Sequence, residues 1–269
     1  MDFIILKKKR MNNFLKATFL GTGTSQGVPV IGSDHPVCLS TDPRDMRLRA
    51  SFLVEKNNTK VLVDCGPDFR QQMLRAKVSE LDGIVFTHEH NDHVLGIDDT
   101  RPLVFKSKKD MPIYALPRVL EEIRSRFPYV FAEHKYPGIP RVEEHVITKN
   151  DFFIGDIHIK PLEVLHGELP ILGYLFDDKI AYLTDVKILP EETLEKLKNI
   201  DVLIISALRQ EKPHHSHLLL KDALEIAEKL RAKQTYLTHI SYEMGFYEVV
   251  NSQLPKGIAL AYDNLEIKV

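Results

Sequence analysis

The heptapeptide THEHNDH, residues 87–93, places three histidines and an aspartate within six positions. In an extended segment alternate side chains lie on the same face, so His88 and His90 can bind one ion together. Asp92 follows a turn-prone asparagine and is a good helix N-cap, so Asp92 and His93 would lie at a bend and point to a neighbouring position. Imidazole suits zinc, and an added carboxylate extends the choice to manganese or iron. The motif therefore indicates half of a two-metal site.

One loop cannot supply all the ligands of such a site, so further histidines and carboxylates are expected at other strand ends. His166, Asp185 and His239 each follow a strand-like run and begin a loop, in the stretches VLHGE, AYLTD and TYLTH. An isolated residue in such a position is usually a cap or a surface residue. Three in the same context, downstream of the HxHxDH motif, are better explained as additional metal ligands.

The elements that must position these residues alternate along the chain. Apolar or β-branched runs predict strands, and helical periodicity predicts the segments between them. This alternation indicates an α/β protein whose sheets are covered by helices. The predicted strands are 17–20, 52–55, 61–64, 83–87, 113–115, 152–164, 172–176, 180–184, 202–206, 235–238 and 259–269, and the predicted helices are 67–78, 118–126, 190–198 and 218–230.

The composition limits the classes of protein that the chain can represent. A length of 269 residues with 43% hydrophobic and 28% charged residues suits a globular protein with a sizeable core. The 36 basic and 38 acidic residues nearly balance, so charge gives no sign of a nucleic-acid partner. Two cysteines, Cys38 and Cys65, suit a reducing compartment, and no apolar run is long enough for a membrane span. We predict a cytoplasmic protein with a flexible leader over 1–12 and one domain over 13–269.

The ordered set of histidines and aspartates resembles the metallo-β-lactamase superfamily, from Gly21 to the C-terminus. The segments LGTGTSQGVP (20–29), VLVDCG (61–66), HVLGIDDTRPL (93–103) and LTHIS (237–241) resemble the branch that holds the PhnP phosphodiesterases and, more distantly, tRNase Z. The resemblance implies an αββα sandwich, in which two mixed sheets lie face to face between flanking helices.

The resemblance also implies two divalent ions per chain, Zn²⁺ or Mn²⁺. The implied ligands are His88, His90 and His166 for one ion, Asp92, His93 and His239 for the other, and Asp185 bridging both. Asp64 matches an acidic residue that supports the metal-binding histidines through a hydrogen bond. Two such ions lower the pKa of a bound water from about 15.7 to about 7, which makes hydroxide available as a nucleophile at neutral pH.

A further histidine completes the implied chemistry. By the resemblance, His217 aligns with a histidine that contacts the phosphate and assists the leaving group, so we assign it as general acid or phosphate stabiliser. His214 and His215 compete for this alignment. Asp92 could also move a proton, although a metal ligand is a poorer candidate. Arg101 and the lysines that follow it could contact the phosphate, or they could form an ordinary solvated surface.

The chain departs from the PhnP pattern at one place. PhnP proteins carry a structural zinc on a CxCxxC cluster and a histidine just after the THIS motif. The matching stretch here, residues 33–38, offers only His35 and Cys38, and Tyr242 follows the motif. Two ligands fall short of the four that a closed zinc site usually has. We therefore predict that this additional zinc is absent.

These features favour a phosphodiesterase that acts on small or cyclic phosphodiesters through a metal-activated hydroxide. We expect no stable nucleic-acid partner and no membrane partner. The sequence is compatible with a homodimer. A tRNase Z-like ribonuclease is an alternative, but bacterial versions insert a long arm between the equivalents of His166 and Asp185, which here lie 19 positions apart (166 to 185). A thioester or carbonyl hydrolase of the glyoxalase type is a second alternative. A redox protein of the flavodiiron type would have glutamate at His90, and a non-enzymatic metal-binding protein is the least supported hypothesis.

Overall fold

The computed structural model describes residues 14–134 and 136–269. The leader predicted over 1–12 lies outside these residues, so the division into a leader and one domain stays a prediction. In the described part of the chain, no helix is both long and apolar enough to cross a membrane.

The strands of the described residues follow one another in this order: β1 (Lys16–Gly21), β2 (Ser51–Lys56), β3 (Thr59–Val63), β4 (Gly83–Val85), β5 (Met111–Ala115), β6 (Val142–Val146), β7 (Phe152–Ile154), β8 (Ile157–His166), β9 (Leu169–Phe176), β10 (Ile180–Leu183), β11 (Val202–Ser206), β12 (Gln234–Thr238), β13 (Ile258–Leu260) and β14 (Glu266–Lys268). The α-helices are α1 (Phe69–Ala76), α2 (Asn91–Val94), α3 (Arg101–Ser107), α4 (Pro117–Arg126), α5 (Pro128–Phe131), α6 (Glu191–Lys196), α7 (Leu220–Leu230) and α8 (Tyr247–Gln253).

Within the described residues these strands build two seven-stranded sheets. The first has the order β14-β1-β2-β3-β4-β5-β6 and the second the order β13-β12-β11-β10-β9-β8-β7. In each sheet antiparallel pairs at one side give way to parallel pairs, at β3 in the first and at β10 in the second. Both sheets are therefore mixed, as predicted.

The side chains of the strands alternate between two apolar layers. Phe52 and Val54 point into the core between the sheets, where the ring of Tyr182 stacks on Phe52 with centroids 4.9 Å apart. Leu53, between them in sequence, belongs instead to the outer core with Phe69 of α1. This period of two is what a strand covered on both faces requires.

The second sheet has its own outer core, to which α6, α7 and α8 contribute. Helix α7 begins where Asp222 accepts a hydrogen bond from the backbone N–H of Leu219 at 3.0 Å, and it ends at Arg231, whose φ is 55°. The Asp222 side chain satisfies a free backbone N–H at the start of the helix, and the left-handed conformation of Arg231 ends the helix. With helices on both outer faces, the predicted αββα sandwich is confirmed.

Two predicted strands are wrong as single elements. The run 152–164 is interrupted at Gly155, whose φ is 52°, and forms β7 and β8. The run 259–269 forms β13 in the second sheet and β14 in the first. Strand β6 and helices α3, α5 and α8 were not predicted.

The two sheets are joined by hydrogen bonds close to the end of β4. The Tyr174 hydroxyl donates to the Phe86 carbonyl at 2.5 Å, and the Leu172 N–H donates to the Thr87 carbonyl at 3.0 Å. Both donors lie on β9, in the second sheet. The hairpin of β9 and β10 therefore lies directly against the start of the THEHNDH segment.

Candidate metal centre

The seven side chains predicted as ligands come together at one edge of the sandwich, where strands of both sheets end. The THEHNDH segment follows β4 and ends within α2, His166 is the last residue of β8, and Asp185 and His239 follow β10 and β12. Asp185 and His239 have φ angles of 56° and 55°. A left-handed backbone at these two residues turns the chain away from the strand direction directly after the side chain that faces the site.

The ligand atoms form overlapping groups in which all members lie within 4.8 Å of one another. The groups are His88, His90 and His166; His88, His93 and Asp185; Asp92, His93 and His239; and His166, Asp185 and His217. Asp185 is shared between groups that otherwise contain different histidines. This is the arrangement expected of a carboxylate that reaches two ions.

Distances around Asp185 support the same conclusion. Its Oδ2 lies 3.3 Å from Nε2 of His93, and its Oδ1 lies 3.1 Å from Nε2 of His239. The Nδ1 atom of His217 lies 3.9 Å from Oδ1. Each carboxylate oxygen thus faces a different set of imidazoles.

Hydrogen bonds to neighbouring groups determine how the imidazoles are oriented. Asp64, fully buried, accepts from Nδ1 of His93 at 2.7 Å and from the N–H and hydroxyl of Thr87 at 2.8 Å each. His166 donates from Nδ1 to the Ser216 carbonyl at 2.9 Å. Because Nδ1 of each ring is held by its acceptor, Nε2 is the atom left to face the centre, and a metal binds there once Nε2 carries no proton.

The donor set fits divalent cations. Among the described residues, Nε2 of His93, both ring nitrogens of His239 and Nδ1 of His217 are buried and have no hydrogen-bond partner. Buried polar atoms are normally satisfied, because leaving one unpaired costs about 1–3 kcal/mol. A cation would bind the free lone pair of each neutral ring and would replace the Nε2 proton of His93, and a mixture of imidazoles and carboxylates suits Zn²⁺ or Mn²⁺.

The charges of the cluster follow from burial and from its two carboxylates. Burial lowers the pKa of His88 well below its ordinary value and that of His217 to about 2, so both rings are neutral. Burial also disfavours the charged form of His93, but Asp92 and Asp185 outweigh it and raise its pKa. In return His93 keeps the pKa of Asp92 low despite burial. One imidazolium therefore partly compensates the two carboxylates in the absence of metal.

Helix α4 supports the motif through a contact that the sequence reasoning missed. Arg126 donates to the backbone carbonyl of Glu89, the residue between His88 and His90. Arg118 donates from Nε to the Glu89 carboxylate at 3.1 Å. In the sequence, the only sign of these contacts from α4 is that an acidic residue, Glu89, stands inside the histidine motif.

Gly66 lets the VLVDCG loop pack against the metal-binding segment. A Cβ at this position would lie 2.0 Å from the carbonyl oxygen of Asp92. The neighbouring N–H of Cys65 donates to the carbonyl of His93 at 2.8 Å. The loop therefore needs glycine for close backbone approach, and its contacts fix the bend that carries Asp92 and His93.

The structure shows which of His214, His215 and His217 faces the metal centre. The ring of His217 lies between those of His166 and His239, at centroid distances of 4.6 and 4.9 Å. His214 accepts from the N–H of Ser216 at 3.3 Å, and His215 stacks on His214. Of the three, His217 is the one grouped with possible metal ligands.

Other predicted residues are engaged elsewhere. The Arg101 guanidinium forms an ion pair with Asp98 and donates to the Asp98 carbonyl at 3.1 Å, so its phosphate contact stays a prediction. The ring of His35 packs on Tyr242 at 4.8 Å, and Cys38 joins a small apolar cluster. Within residues 14–134 and 136–269, neither His35 nor Cys38 belongs to a group of three metal-competent side chains.

Comparison with known proteins identifies the family. A sequence profile described as the beta-lactamase superfamily domain matches residues 59–240. The chain belongs to the metallo-β-lactamase superfamily. The crystal structure of a diphosphatase from the PhnP family is 42% identical, with a TM-score of 0.89, and the match covers 95% of this chain and 97% of that one. The predicted resemblance to the PhnP branch is thereby confirmed.

Two curated relatives add to this picture. An octanoyltransferase of Porphyromonas gingivalis is 38% identical over 94% of this chain, but the chain spans only 51% of that relative's length. A ribonuclease Z of Borrelia duttonii is 26% identical, over 85% of this chain and 93% of the relative. The superfamily relationship thus extends to proteins with different named activities.

Proposed function

We propose that this protein is a two-metal phosphodiesterase that acts on small or cyclic phosphodiesters. The observation that supports this most directly is the position of Asp185, whose two oxygens approach His93 and His239 separately, at 3.3 and 3.1 Å. A carboxylate in that position suits two ions held side by side, and paired ions are typical of phosphoryl-transfer sites.

In this proposal each ion takes ligands from one of two sets. His88, His90 and His166 would hold one ion, Asp92, His93 and His239 would hold the other, and Asp185 would contact both. Bound Zn²⁺ or Mn²⁺ would lower the pKa of a coordinated water from about 15.7 to about 7 and neutralise charge on the phosphoryl oxygens. The Asp64 carboxylate keeps the Nδ1 proton of His93 in place, so that Nε2 stays free for the ion.

His217 would bind the phosphate beside this centre. Its pKa of about 2 keeps the ring neutral, and a neutral imidazole can donate a hydrogen bond but carries no extra proton for a leaving group. A neutral His217 is therefore better suited to stabilise the bound phosphate than to act as a general acid. Asp92 is a poorer proton carrier, because His93 lies 3.1 Å from its Oδ2 atom.

Hydrolysis of a diphosphate ester is a second candidate. The 42% identical PhnP-family protein is a diphosphatase, and a diphosphate offers the same phosphoryl oxygens to the metal centre as a phosphodiester does. In the tRNase Z alternative, a long arm would be needed between His166 and Asp185, where only β9 and β10 lie.

Acyl transfer receives no support from the chain's thiols. Cys38 and Cys65 are both buried, and burial raises the pKa of Cys65 well above its ordinary value, so a reactive thiolate is disfavoured. Free thiols fit the reducing, cytoplasmic location that forms part of this proposal.

The test is a substrate panel with metal-reconstituted protein. The panel contains bis(p-nitrophenyl) phosphate, a ribose cyclic phosphate, a 2′,3′-cyclic nucleotide, a diphosphate ester, a precursor tRNA and a glutathione thioester. We expect turnover of the phosphate diesters, its loss in Asp185→Asn, and its retention in Asp151→Asn, which removes a carboxylate that is partly exposed and paired with His158. Turnover of the thioester alone, or full activity of Asp185→Asn, would overturn the proposal.

A further inference from the structure

Thr184, the residue directly before Asp185, contacts the carboxylate that lies between the two sets of imidazoles. Its hydroxyl donates to Oδ2 of Asp185 at 2.6 Å. Thr184 is fully buried and Asp185 is only 2% exposed, so water does not compete for this hydrogen bond. Because the acceptor is a carboxylate, the bond belongs to the stronger, charge-assisted class.

The backbone directly after Asp185 is held in place by two hydrogen bonds. The Val186 N–H donates to the hydroxyl of Ser206, at the end of β11, at 3.1 Å, and the Leu218 N–H donates to the Val186 carbonyl at 3.1 Å. The torsions of the Asp185 side chain are the freedom that remains at this residue. The hydrogen bond from Thr184 restricts them.

This hydrogen bond determines where both oxygens of Asp185 lie. Oδ2, which accepts from Thr184, lies 3.3 Å from Nε2 of His93, and Oδ1 lies 3.1 Å from Nε2 of His239. A carboxylate that turned about its side-chain bonds would move both oxygens relative to these rings at once. Thr184 therefore acts on both sides of the metal centre through a single residue.

The support of Asp185 by Thr184 is the counterpart of a contact at a histidine of the same centre. Nδ1 of His93 is held by the carboxylate of Asp64 at 2.7 Å. Partners that orient a metal ligand in this way change metal affinity by roughly tenfold to a hundredfold when they are removed. The Thr184 hydroxyl is placed to have an effect of that size on Asp185.

We propose that Thr184 is a positioning residue of the metal centre, whose hydroxyl holds Asp185 in the orientation that allows one carboxylate to contact two ions. This inference rests on the proposed function, because it requires an ion on each side of Asp185. It assigns part of the metal affinity to a residue that contacts neither the ions nor the substrate.

The test measures metal binding in the absence of substrate. Thr184→Val keeps the branched shape of the side chain and removes the donor. In competition with a chromophoric chelator, its affinity for Zn²⁺ should fall by roughly tenfold to a hundredfold. Thr184→Ser keeps the hydroxyl and should retain an affinity close to that of the wild type. With Co²⁺ in place of Zn²⁺, Thr184→Val should also change the visible absorption bands, which report the geometry around the ion.

Thr238→Val is the matched control. Thr238 is as buried as Thr184 and also precedes a proposed ligand, but its hydroxyl has no hydrogen-bond partner in the described part of the chain. This variant should keep the affinity and the spectrum of the wild type. An equal loss of affinity in Thr238→Val or in Thr184→Ser would indicate a general packing effect and would overturn the proposal.

Unchanged or higher affinity in Thr184→Val would also overturn it, because a donor that merely occupied Oδ2 would free that oxygen for the ion when removed. If the valine variant does not fold, Thr184→Ala and Thr184→Ser give the same comparison: a loss in alanine alone supports the proposal, and equal affinities contradict it. Lack of phosphodiester turnover by the loaded wild type would count against the proposed function only, whereas binding of fewer than two ions per chain would count against both.

Discussion

Replacing Asp64 by asparagine should weaken metal binding without altering any metal ligand. The carboxylate accepts three hydrogen bonds, from the N–H and hydroxyl of Thr87 and from Nδ1 of His93. Asparagine keeps the oxygen that faces the Thr87 N–H but presents an NH₂ group to His93. Two donors would then face each other, and His93 can avoid this only by moving its proton to Nε2, the atom that faces the ions.

The magnitude follows from the bond that is lost. A hydrogen bond to a charged group contributes about 1.5–3 kcal/mol, which corresponds to roughly a tenfold to hundredfold change in an equilibrium constant. We therefore expect the affinity for the ion held by His93 to fall by that factor. Because His88 reaches Asp64 only through the Thr87 hydroxyl, at 2.9 Å, the other ion should be affected less.

Competition with a chromophoric chelator measures this effect, ion by ion. The matched control is Asp263→Asn, because Asp263 is also buried and accepts from the N–H and hydroxyl of Thr22, at 2.9 and 2.8 Å, but does not belong to the metal cluster. Both variants should unfold at lower temperature, and only Asp64→Asn should lose metal. Metal affinity within twofold of the wild type in Asp64→Asn would refute the reasoning.

Three further predictions concern the same centre. His217→Ala should retain both ions by elemental analysis yet lose roughly a hundredfold or more in turnover of phosphodiesters, the cost of removing one hydrogen-bond donor from the phosphoryl oxygens in the transition state; unchanged rates would remove its assigned role. Gly66→Ala, whose Cβ would lie 2.0 Å from the Asp92 carbonyl oxygen, should lower the free energy of unfolding by about 1–3 kcal/mol in urea, and an unchanged midpoint would count against a tight contact. The raised pKa of His93 stabilises the metal-free protein fully below its ordinary value of 6.5, and this contribution is lost as the pH rises through the folded-state pKa. Metal-free protein should therefore lose stability above pH 6.5, and metal uptake at pH 7 should release protons, as calorimetry in buffers of different ionisation enthalpy would measure; uptake without proton release would contradict this.

Local sequence patterns were enough to predict most strands and the longer helices. The strands are covered on both faces and therefore read as apolar runs, and the longer helices are amphipathic. The run 180–184, for example, is β10 almost residue for residue, and the helix predicted over 218–230 is α7. The run 259–269 has the pattern of one strand, but the chain leaves the second sheet after Leu260 and joins the first at Glu266. Apolar content does not show which sheet a segment joins. Strand β6, with the sequence VEEHV, escaped prediction because its side chains are largely outside the core.

The site was predictable to the extent that it depends on strand ends. His166, Asp185 and His239 stand at such ends in the sequence, and the fold brings these ends to one edge. Which of the clustered histidines faces the centre could not be deduced from spacing, since three lie within four positions. The support of Glu89 by Arg118 and Arg126 likewise depends on tertiary contacts, since these residues lie 29 and 37 positions apart from it in sequence.

The grouping of the side chains has a consequence for the mechanics of the sandwich. His88 and His90 follow a strand of the first sheet, whereas His166 ends a strand of the second, and the same division separates His93 from His239. An ion bound by either group would act as a cross-link between the two halves of the molecule. Metal binding should therefore slow the local opening that separates the two sheets. Amide hydrogen exchange of β4 and β9, measured with and without metal, would report whether the contact between the sheets becomes more stable when the ions bind.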